Sequence, residues 1–514
     1  MQAVRSGLER RFVGAAALLL LLPKLAFCVT DVNHPPGVRT VRLCAAAAVL
    51  LLATLEYWRP WLGVKLSALI WTQMLVVREL LVDRVSAHWG YLPELWGGTL
   101  AAALAAAIWL RSERTTRLAE DHEDLAPEQH RWRLVFWALV LAYLLSAVVG
   151  QIRVLGAPEG WRIQPTDPRH LLDMSVHNNW SPAIAILESL PPVLLALMLF
   201  QARAPERSLA AWVLALGAIV AIEYAISARL GIGFRFDQTP PSVPFSNRNT
   251  TAPVLLISAV CGFVLSTCRD LRPWLRLASG VIAAALCLTA LLTGSRNGIM
   301  VLVAVALLWL LRGCLQSETR SRVRTALAGL LVAVLLWALF LMPLPAPETL
   351  RSENLQRAVR GVTALREGDL RTASSDRLGI YRAGLQMFAT YPLAGAGLAT
   401  VPMALNDAGP HRDSITVYDA GTFVTHLHSM PLQLLAETGL LGAVAWTLAF
   451  LVFPVLCVLK NRDSGLWAIP LAALGVSNVF DAVWLTPGMP ILAAVLLALA
   501  LRGCRSLPRG GVGG

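Results

Sequence analysis

Long apolar runs recur along the whole chain and are separated by shorter polar stretches. Most of these runs approach the roughly 20 residues that an α-helix needs to cross the hydrocarbon core of a bilayer. They lie at 12–30, 41–57, 62–82, 94–110, 134–152, 181–200, 209–228, 251–268, 277–293, 299–311, 326–343, 432–459, 466–483 and 488–501. The pattern predicts an all-α polytopic membrane protein with about 12–14 transmembrane helices.

The arginines are distributed unevenly between the polar stretches. If residue 1 lies in the cytoplasm, the loops on that side collect Arg10, Arg11, Arg59, Arg111, Arg114, Arg117, Arg203, Arg207, Arg269, Arg272, Arg320, Arg322, Arg324, Arg462 and Arg505. Cytoplasmic loops carry such an excess of basic residues. The same register places 153–180, 229–250, 294–298 and 344–431 on the outer face. The net charge of +12 then reflects contact with anionic membrane lipids, and nucleic acid is not expected as a partner.

Composition supports this class of protein. With 56% hydrophobic and 15% charged residues, a soluble fold is excluded. We divide the chain into N-terminal transmembrane helices (1–230), core transmembrane helices with short outer loops (231–343), a large outer loop (344–431) and C-terminal transmembrane helices with a tail (432–514).

The large outer loop is too long for a simple connection, so it is expected to carry helices and function. Within it, "SSDRLGIYRAGLQMFATYP" predicts a helix that Ser375 caps and that ends at Tyr391. Apolar residues recur in this stretch at 378, 381, 385 and 388. Arg377 and Tyr381 are four residues apart and would share one helix face.

Three arginines lie at the predicted outer boundary of the membrane, namely Arg248, Arg296 and Arg377. Arg296 is held most tightly, because Gly294 and Gly298 leave almost no loop between two spans. Each arginine could simply reach from a helix end to the membrane surface. Together they could instead be planar forks that bind a phosphate or diphosphate group.

The stretch "HLHSMPLQLLAETGLLG" places His426 and His428 just before an apolar span. Ser429 can cap a helix whose first turn contains Pro431. A helix N-terminus disfavours a protonated ring, so His428 is expected to be neutral and able to accept a proton as a general base. A hydrogen-bonding surface residue is the alternative, and this interpretation is kept for His426.

Asp481 is an ionisable residue near the outer end of a later span, where such residues are usually paired or functional. The chain has no metal-ligand spacing, no phosphate-binding glycine loop and no dinucleotide fingerprint. We therefore expect no metal and no cofactor.

Three stretches, in this order, resemble the O-antigen ligase and polymerase superfamily: "GSRNG", "DRLGIYRAGLQMFATYPLAGAGLATV" and "HLHSMPLQLLAETGLLG". The similarity covers roughly 240–490, and the motifs are specific in combination. It implies a GT-C-type glycosyltransferase in the bacterial inner membrane, with one large periplasmic loop and an active site facing the periplasm. Arg296 and Arg377 match the arginines thought to bind undecaprenyl diphosphate, and His428 matches the proposed catalytic histidine.

Other positions match the superfamily pattern less directly. Arg248 lies in its Asn-rich segment and is a further candidate for the diphosphate. Glu437 and Gly439 match a Glu-x-Gly that opens the following helix, and Asp481 matches a later acidic position. The residues expected to support the site are Tyr381, Glu437, Asp481 and His426.

The resemblance leaves the acceptor open. Lipid A-core as acceptor makes the protein a metal-independent, inverting O-antigen ligase, which the late loop and the histidine motif favour. An O-antigen or exopolysaccharide polymerase would use another lipid-linked repeat, and a protein O-oligosaccharyltransferase would use a pilin. A lipid-linked glycan flippase is the alternative of another class.

Overall fold

The computed structural model describes residues 11–22, 36–67, 92–116, 127–156, 181–202, 205–230, 248–316, 377–405, 426–460, 464–481 and 489–503, with short pieces at 356, 359–360, 363–364 and 366–369. Of these residues 89% are helical, and none forms a strand. The all-α class is therefore confirmed. The predicted span at 326–343 and most of that at 62–82 lie outside the described residues.

The described residues form a series of helices. In chain order they are α1 (Pro36–Trp58), α2 (Leu92–Thr116), α3 (Pro127–Gly156), α4 (Ser181–Gln201), α5 (Glu206–Leu230), α6 (Arg248–Thr267), α7 (Pro273–Leu292), α8 (Arg296–Gln316), α9 (Leu378–Thr390), α10 (Val401–Leu405), α11 (Met430–Thr447), α12 (Phe453–Lys460), α13 (Ile469–Phe480) and α14 (Met489–Gly503). A π-helical segment, Leu448–Val452, joins α11 to α12, and a 3₁₀ turn, Ser464–Ala468, leads into α13.

Six helical stretches in the described part are long and apolar enough to cross a membrane. They are Leu134–Gly156, Glu206–Ile226, Asn249–Thr267, Pro273–Leu292, Arg296–Leu315 and Met430–Lys460. Shorter apolar helices accompany them, for example Arg11–Leu22 and Ile491–Arg502. The chain is thus a polytopic membrane protein, as predicted, while the number of 12–14 spans and the four-part division of the chain stay predictions.

Helix α6 lies at the centre of the described bundle, where it packs against α5, α7, α8 and α13. Its side chains are almost all buried, whereas α7 exposes Leu277, Val281 and Leu288. Exposed leucines and valines on a membrane helix are the surface that lipid covers, since lipid tails are as apolar as leucine. Helix α6 is therefore an internal helix and α7 a peripheral one.

Helix α11 is broken at Gly439, whose backbone has φ 65° and ψ −162°. The N–H of Leu440 donates to the carbonyl of Pro392 at 2.9 Å rather than along the helix. The carbonyls that the break leaves free accept from the same segment: Ala396 N–H to Ala436 O (2.8 Å) and Gly397 N–H to Glu437 O (2.9 Å). A break in a membrane helix is tolerated where neighbouring protein satisfies its backbone in this way.

Helix α9 confirms the predicted helix, which ends at Tyr391 as expected, but its N-cap residue is Arg377 and not Ser375. Its buried face is different from the apolar pattern in the sequence: Leu378 and Leu385 are exposed. The buried residues are Gly379, Ile380, Ala383, Gly384 and Met387. Small residues let α9 approach its neighbours closely, since a Cβ on Gly384 would lie 2.5 Å from the Leu427 side chain.

Gly439→Ala should destabilise the protein strongly. A Cβ at this position would lie 2.3 Å from the Leu393 carbonyl oxygen, and a positive φ adds about 1–3 kcal/mol for a residue with a side chain. The measurement is the apparent Tm of the purified protein in detergent. Gly280→Ala in α7 is the matched control, because the nearest atom to its added Cβ would be 3.7 Å away. Equal Tm values for the two variants would contradict the role given to Gly439.

Candidate catalytic site

Four helix ends meet at one end of the bundle, where α6, α8 and α11 begin and α13 ends; we call this the site end. The amide of Asn297, in the first turn of α8, donates to Asn249 O at 3.2 Å and to Ser477 Oγ at 3.1 Å. Ser477 lies one turn before Asp481, whose N–H donates to its carbonyl. These buried polar contacts bring the "GSRNG" turn close to the end of α13.

His428 and Asp481 form the centre of the site. His428 Nδ1 lies 3.0 Å from Asp481 Oδ1, so the Nδ1–H donates to the carboxylate and Nε2 is the nitrogen that can accept a proton. Asp481 is 5% exposed and His428 30%. A buried carboxylate therefore orients a ring that remains accessible.

Arg377 holds the other side of the same carboxylate. Its Nη2 lies 3.3 Å from Asp481 Oδ2, and its Nη1 donates to Phe480 O at 2.9 Å. The guanidinium is 17% exposed. Since an arginine has five N–H donors, these two contacts leave others that can bind an anion.

The charges of the site at neutral pH follow from its burial and its partners. Burial raises the pKa of Asp481, but the hydrogen bond from His428 and the charge of Arg377 outweigh it and lower the pKa to about 2. Burial, then the neighbouring His428, lowers the pKa of His426 to about 4. At neutral pH Asp481 is therefore ionised and His426 is neutral.

His426 lies against His428, with 4.2 Å between the ring centroids and 58° between the ring planes. Among the described residues, these two and Asp481 form a group that could hold a metal ion, with one ligand atom of each within 4.8 Å of the others. However, both oxygens of Asp481 already have partners, His428 and Arg377. A cation at this carboxylate would also meet the charge of Arg377, so the donor set suits proton transfer better than a metal.

The start of α11 sets the backbone of His428. Ser429 is the N-cap residue in extended conformation, as predicted, but its side chain makes no capping hydrogen bond. Ser429 O instead accepts the first helical bond from Gln433 N–H at 2.8 Å. His428 has φ 51°, a left-handed conformation that turns the chain sharply into the helix.

Glu437 lies in the helix interior, away from the histidine ring, and fixes the segment Pro392–Val401. Its side-chain Oε1 accepts from Val401 N–H at 3.2 Å, and its carbonyl accepts from Ser146 Oγ at 2.6 Å. Gly395 packs against the Glu437 backbone without room for a Cβ. The predicted Glu-x-Gly and the turn that contains Gly395 and Gly397 are therefore the two halves of one contact.

Three other predicted site residues lie on the helices of the site end or on α9. Arg296 is the first residue of α8 and is half-buried, next to the Asn297 contact with α13. Tyr381 is half-buried one turn after Arg377 on α9. Arg248 is the first residue of α6, but its side chain lies outside the described residues.

Sequence reasoning missed three contributors. Gln433 joins the histidine turn to Glu437, with 2.8 Å between its Nε2 and Glu437 Oε1. Arg153 stacks over the Tyr391 ring at 4.0 Å and donates to Gly395 O. Asn297 joins α8 to α13. The contact of Gln433 with Glu437 could have been inferred from their four-residue spacing. The contacts of Arg153 and Asn297 join distant segments, so no local signal in the sequence indicates them.

The structure defines a multi-pass membrane protein with a histidine, a buried carboxylate and an arginine at one end of its helix bundle. Residues 280–447 match the family model described as O-antigen ligase. This match supports assignment of the chain to the O-antigen ligase family and confirms the resemblance seen in the sequence. Members of the family are glycosyltransferase-like ligases. No curated protein matches the chain.

Proposed function

We propose that this protein is an O-antigen ligase that transfers a glycan from undecaprenyl diphosphate to lipid A-core at the periplasmic face of the bacterial inner membrane. The observation that carries the proposal is the His428–Asp481–Arg377 cluster. It combines a group that can accept a proton with a group that can neutralise a phosphate. Both are needed when a hydroxyl displaces a diphosphate from a sugar.

His428 is the general base of this reaction. Its Nε2 takes the proton from the acceptor hydroxyl as the oxygen attacks the anomeric carbon of the donor. Asp481, ionised at neutral pH, accepts from Nδ1–H and stabilises the positive charge that the ring gains. Attack from the side opposite the leaving group inverts the configuration at the anomeric carbon.

The arginines act on the leaving group. The bond between the anomeric carbon and the diphosphate oxygen breaks, and its electron pair stays with undecaprenyl diphosphate. Arg377, which faces the same carboxylate as His428, and Arg296, at the start of α8, stabilise this growing negative charge. Arg248 is a third candidate, at the start of the neighbouring α6. The reaction then needs no metal, cofactor or nucleotide sugar.

The position of the cluster suits a substrate whose two parts need different solvents. The apolar spans Arg296–Leu315 and Met430–Lys460 begin at the site end. A polyprenyl tail can remain among lipids while its diphosphate and glycan meet His428 at the membrane boundary. This arrangement explains why the histidines directly precede a span.

Purified protein, mixed with undecaprenyl diphosphate-linked glycan, lipid A-core and EDTA, should form a larger lipopolysaccharide species. His428→Ala should form no species visible on the gel, because the Nε2 that takes the acceptor proton is lost. The variant should still fold, although Asp481 then loses one of its two partners. Gel electrophoresis of the lipopolysaccharide is the measurement. Normal transfer by His428→Ala would rule out the base assignment. Elongated lipid-linked glycan or a glycosylated pilin would keep the chemistry and change the acceptor, and no product at all would favour a transporter.

Arg377→Ala should lower kcat/KM for the lipid-linked donor about 10²–10³-fold, the usual loss for one group that stabilises developing negative charge. Arg377→Lys should recover part of this loss, because lysine keeps the charge without the planar fork. Arg382→Lys, at an exposed position of the same helix, is the matched control and should behave like wild type. Wild-type kinetics for Arg377→Ala would contradict a role at the donor diphosphate.

A further inference from the structure

The turn that carries His428 has a backbone conformation that its own residue disfavours. A positive φ of 51° is uncommon for any residue other than glycine, and it persists where the surrounding structure holds it. The position of the ring relative to Asp481 depends on this turn. The groups that hold the turn therefore determine how well the ring is placed.

Gln433 holds the turn on both sides of His428. Before the histidine, Leu427 N–H donates to Gln433 Oε1 at 2.8 Å. After it, Ser429 O accepts from the backbone N–H of the same Gln433, also at 2.8 Å. One residue thus spans the three-residue turn, with its side chain at one end and its backbone at the other.

The Gln433 side chain is itself fixed inside the protein. It is 3% exposed, and its Nε2 donates to Glu437 Oε1 at 2.8 Å. The backbone N–H of Leu427 can only donate, and the carboxylate of Glu437 accepts. The side chain at position 433 must therefore offer one acceptor and one donor. An amide side chain provides both, whereas a carboxylate or an apolar chain does not.

The chain of hydrogen bonds continues beyond Gln433. Glu437 also accepts from Val401 N–H at 3.2 Å, at the end of the segment Pro392–Val401. Leu427 is fully buried beneath α9, where its side chain lies against Gly384. The turn is therefore attached to α11 and to the 392–401 segment through buried groups, although His428 itself is partly exposed.

We propose that Gln433 is a positioning residue for His428. It has no contact with substrate in this assignment and acts by holding the left-handed turn, so that Nδ1–H meets Asp481 and Nε2 faces the acceptor hydroxyl. This inference rests on the proposed role of His428 as the base. It extends that proposal, because the position of the His428 ring then depends on the buried amide of Gln433, one helical turn further along the chain.

Gln433→Met tests the proposal, since methionine has a similar length but neither accepts strongly nor donates. Two quantities are measured on the full-length protein in detergent: hydrogen–deuterium exchange of the Leu427 amide, and kcat and KM for glycan transfer. We expect exchange at Leu427 to become at least about tenfold faster, because its buried acceptor is gone. We expect kcat to fall about 10–100-fold, as for a misplaced catalytic group, with KM for the donor within about twofold of wild type.

Two further variants make the result specific. Gln386→Met, at an exposed position of α9, introduces the same side chain nearby and should change neither quantity. Gln433→Glu keeps the acceptor for Leu427, and two adjacent carboxyl groups can share one proton; it should keep the exchange protection and lose less kcat than Gln433→Met. If Gln433→Met does not fold, Gln433→Glu decides the question by the same two measurements.

The outcomes separate this inference from the proposed function. Unchanged exchange at Leu427 in Gln433→Met would overturn the positioning role, whatever the activity. Faster exchange with wild-type kcat, or a rise in KM alone, would also overturn it, because the turn would then not affect the base. Absence of transfer by the wild-type protein would instead refute the proposed function, while the exchange result would still show whether Gln433 holds the turn.

Discussion

The Asp481 carboxylate is the interaction on which the candidate site depends. It is buried at the end of α13, yet it is ionised, because His428 and Arg377 each occupy one of its oxygens. A buried carboxylate without such partners would be strongly disfavoured, so the three residues stabilise one another. The same carboxylate determines which histidine nitrogen is free and where the guanidinium lies. In the proposed reaction, the group that accepts the proton and the group that binds the anion thereby lie next to each other.

Irregular backbone makes this arrangement possible at the boundary of an apolar bundle. The helix break at Gly439 gives Pro392–Val401 a set of backbone partners, and the left-handed turn at His428 lets α11 begin directly below the ring. Each irregular point is satisfied by buried hydrogen bonds, through Gln433 and Glu437. Such departures from regular helix are tolerated at membrane depth because neighbouring protein groups satisfy the backbone.

Features that are local in sequence could be predicted, and those that depend on packing could not. The apolar runs, helix α9, the tight "GSRNG" turn and the start of α11 at Ser429 each follow from a few consecutive residues. The contacts of Asp481 join residues 53 and 104 positions apart, so they arise only when α11, α9 and α13 pack together. The buried face of α9 was also not predictable from hydrophobicity, because small residues such as Gly379, Ala383 and Gly384 form much of it while Leu378 and Leu385 are exposed. The role of Gln433 was missed because an amide reveals its function only through its partners.

In the proposed mechanism, Asp481 acts on catalysis through His428. A double-mutant cycle on kcat/KM, with His428→Ala, Asp481→Asn and the double variant compared at neutral pH, distinguishes this coupling from independent action. Asp481→Asn should lower kcat/KM by about 10²–10⁴-fold, through loss of ring orientation and charge stabilisation. When this change is added to His428→Ala, the further loss of residual kcat/KM should be far smaller and limited to the displacement of Arg377, because residues that act as one unit are not additive. Losses that multiply in the double variant would show that Asp481 acts independently of the histidine and would overturn this coupling.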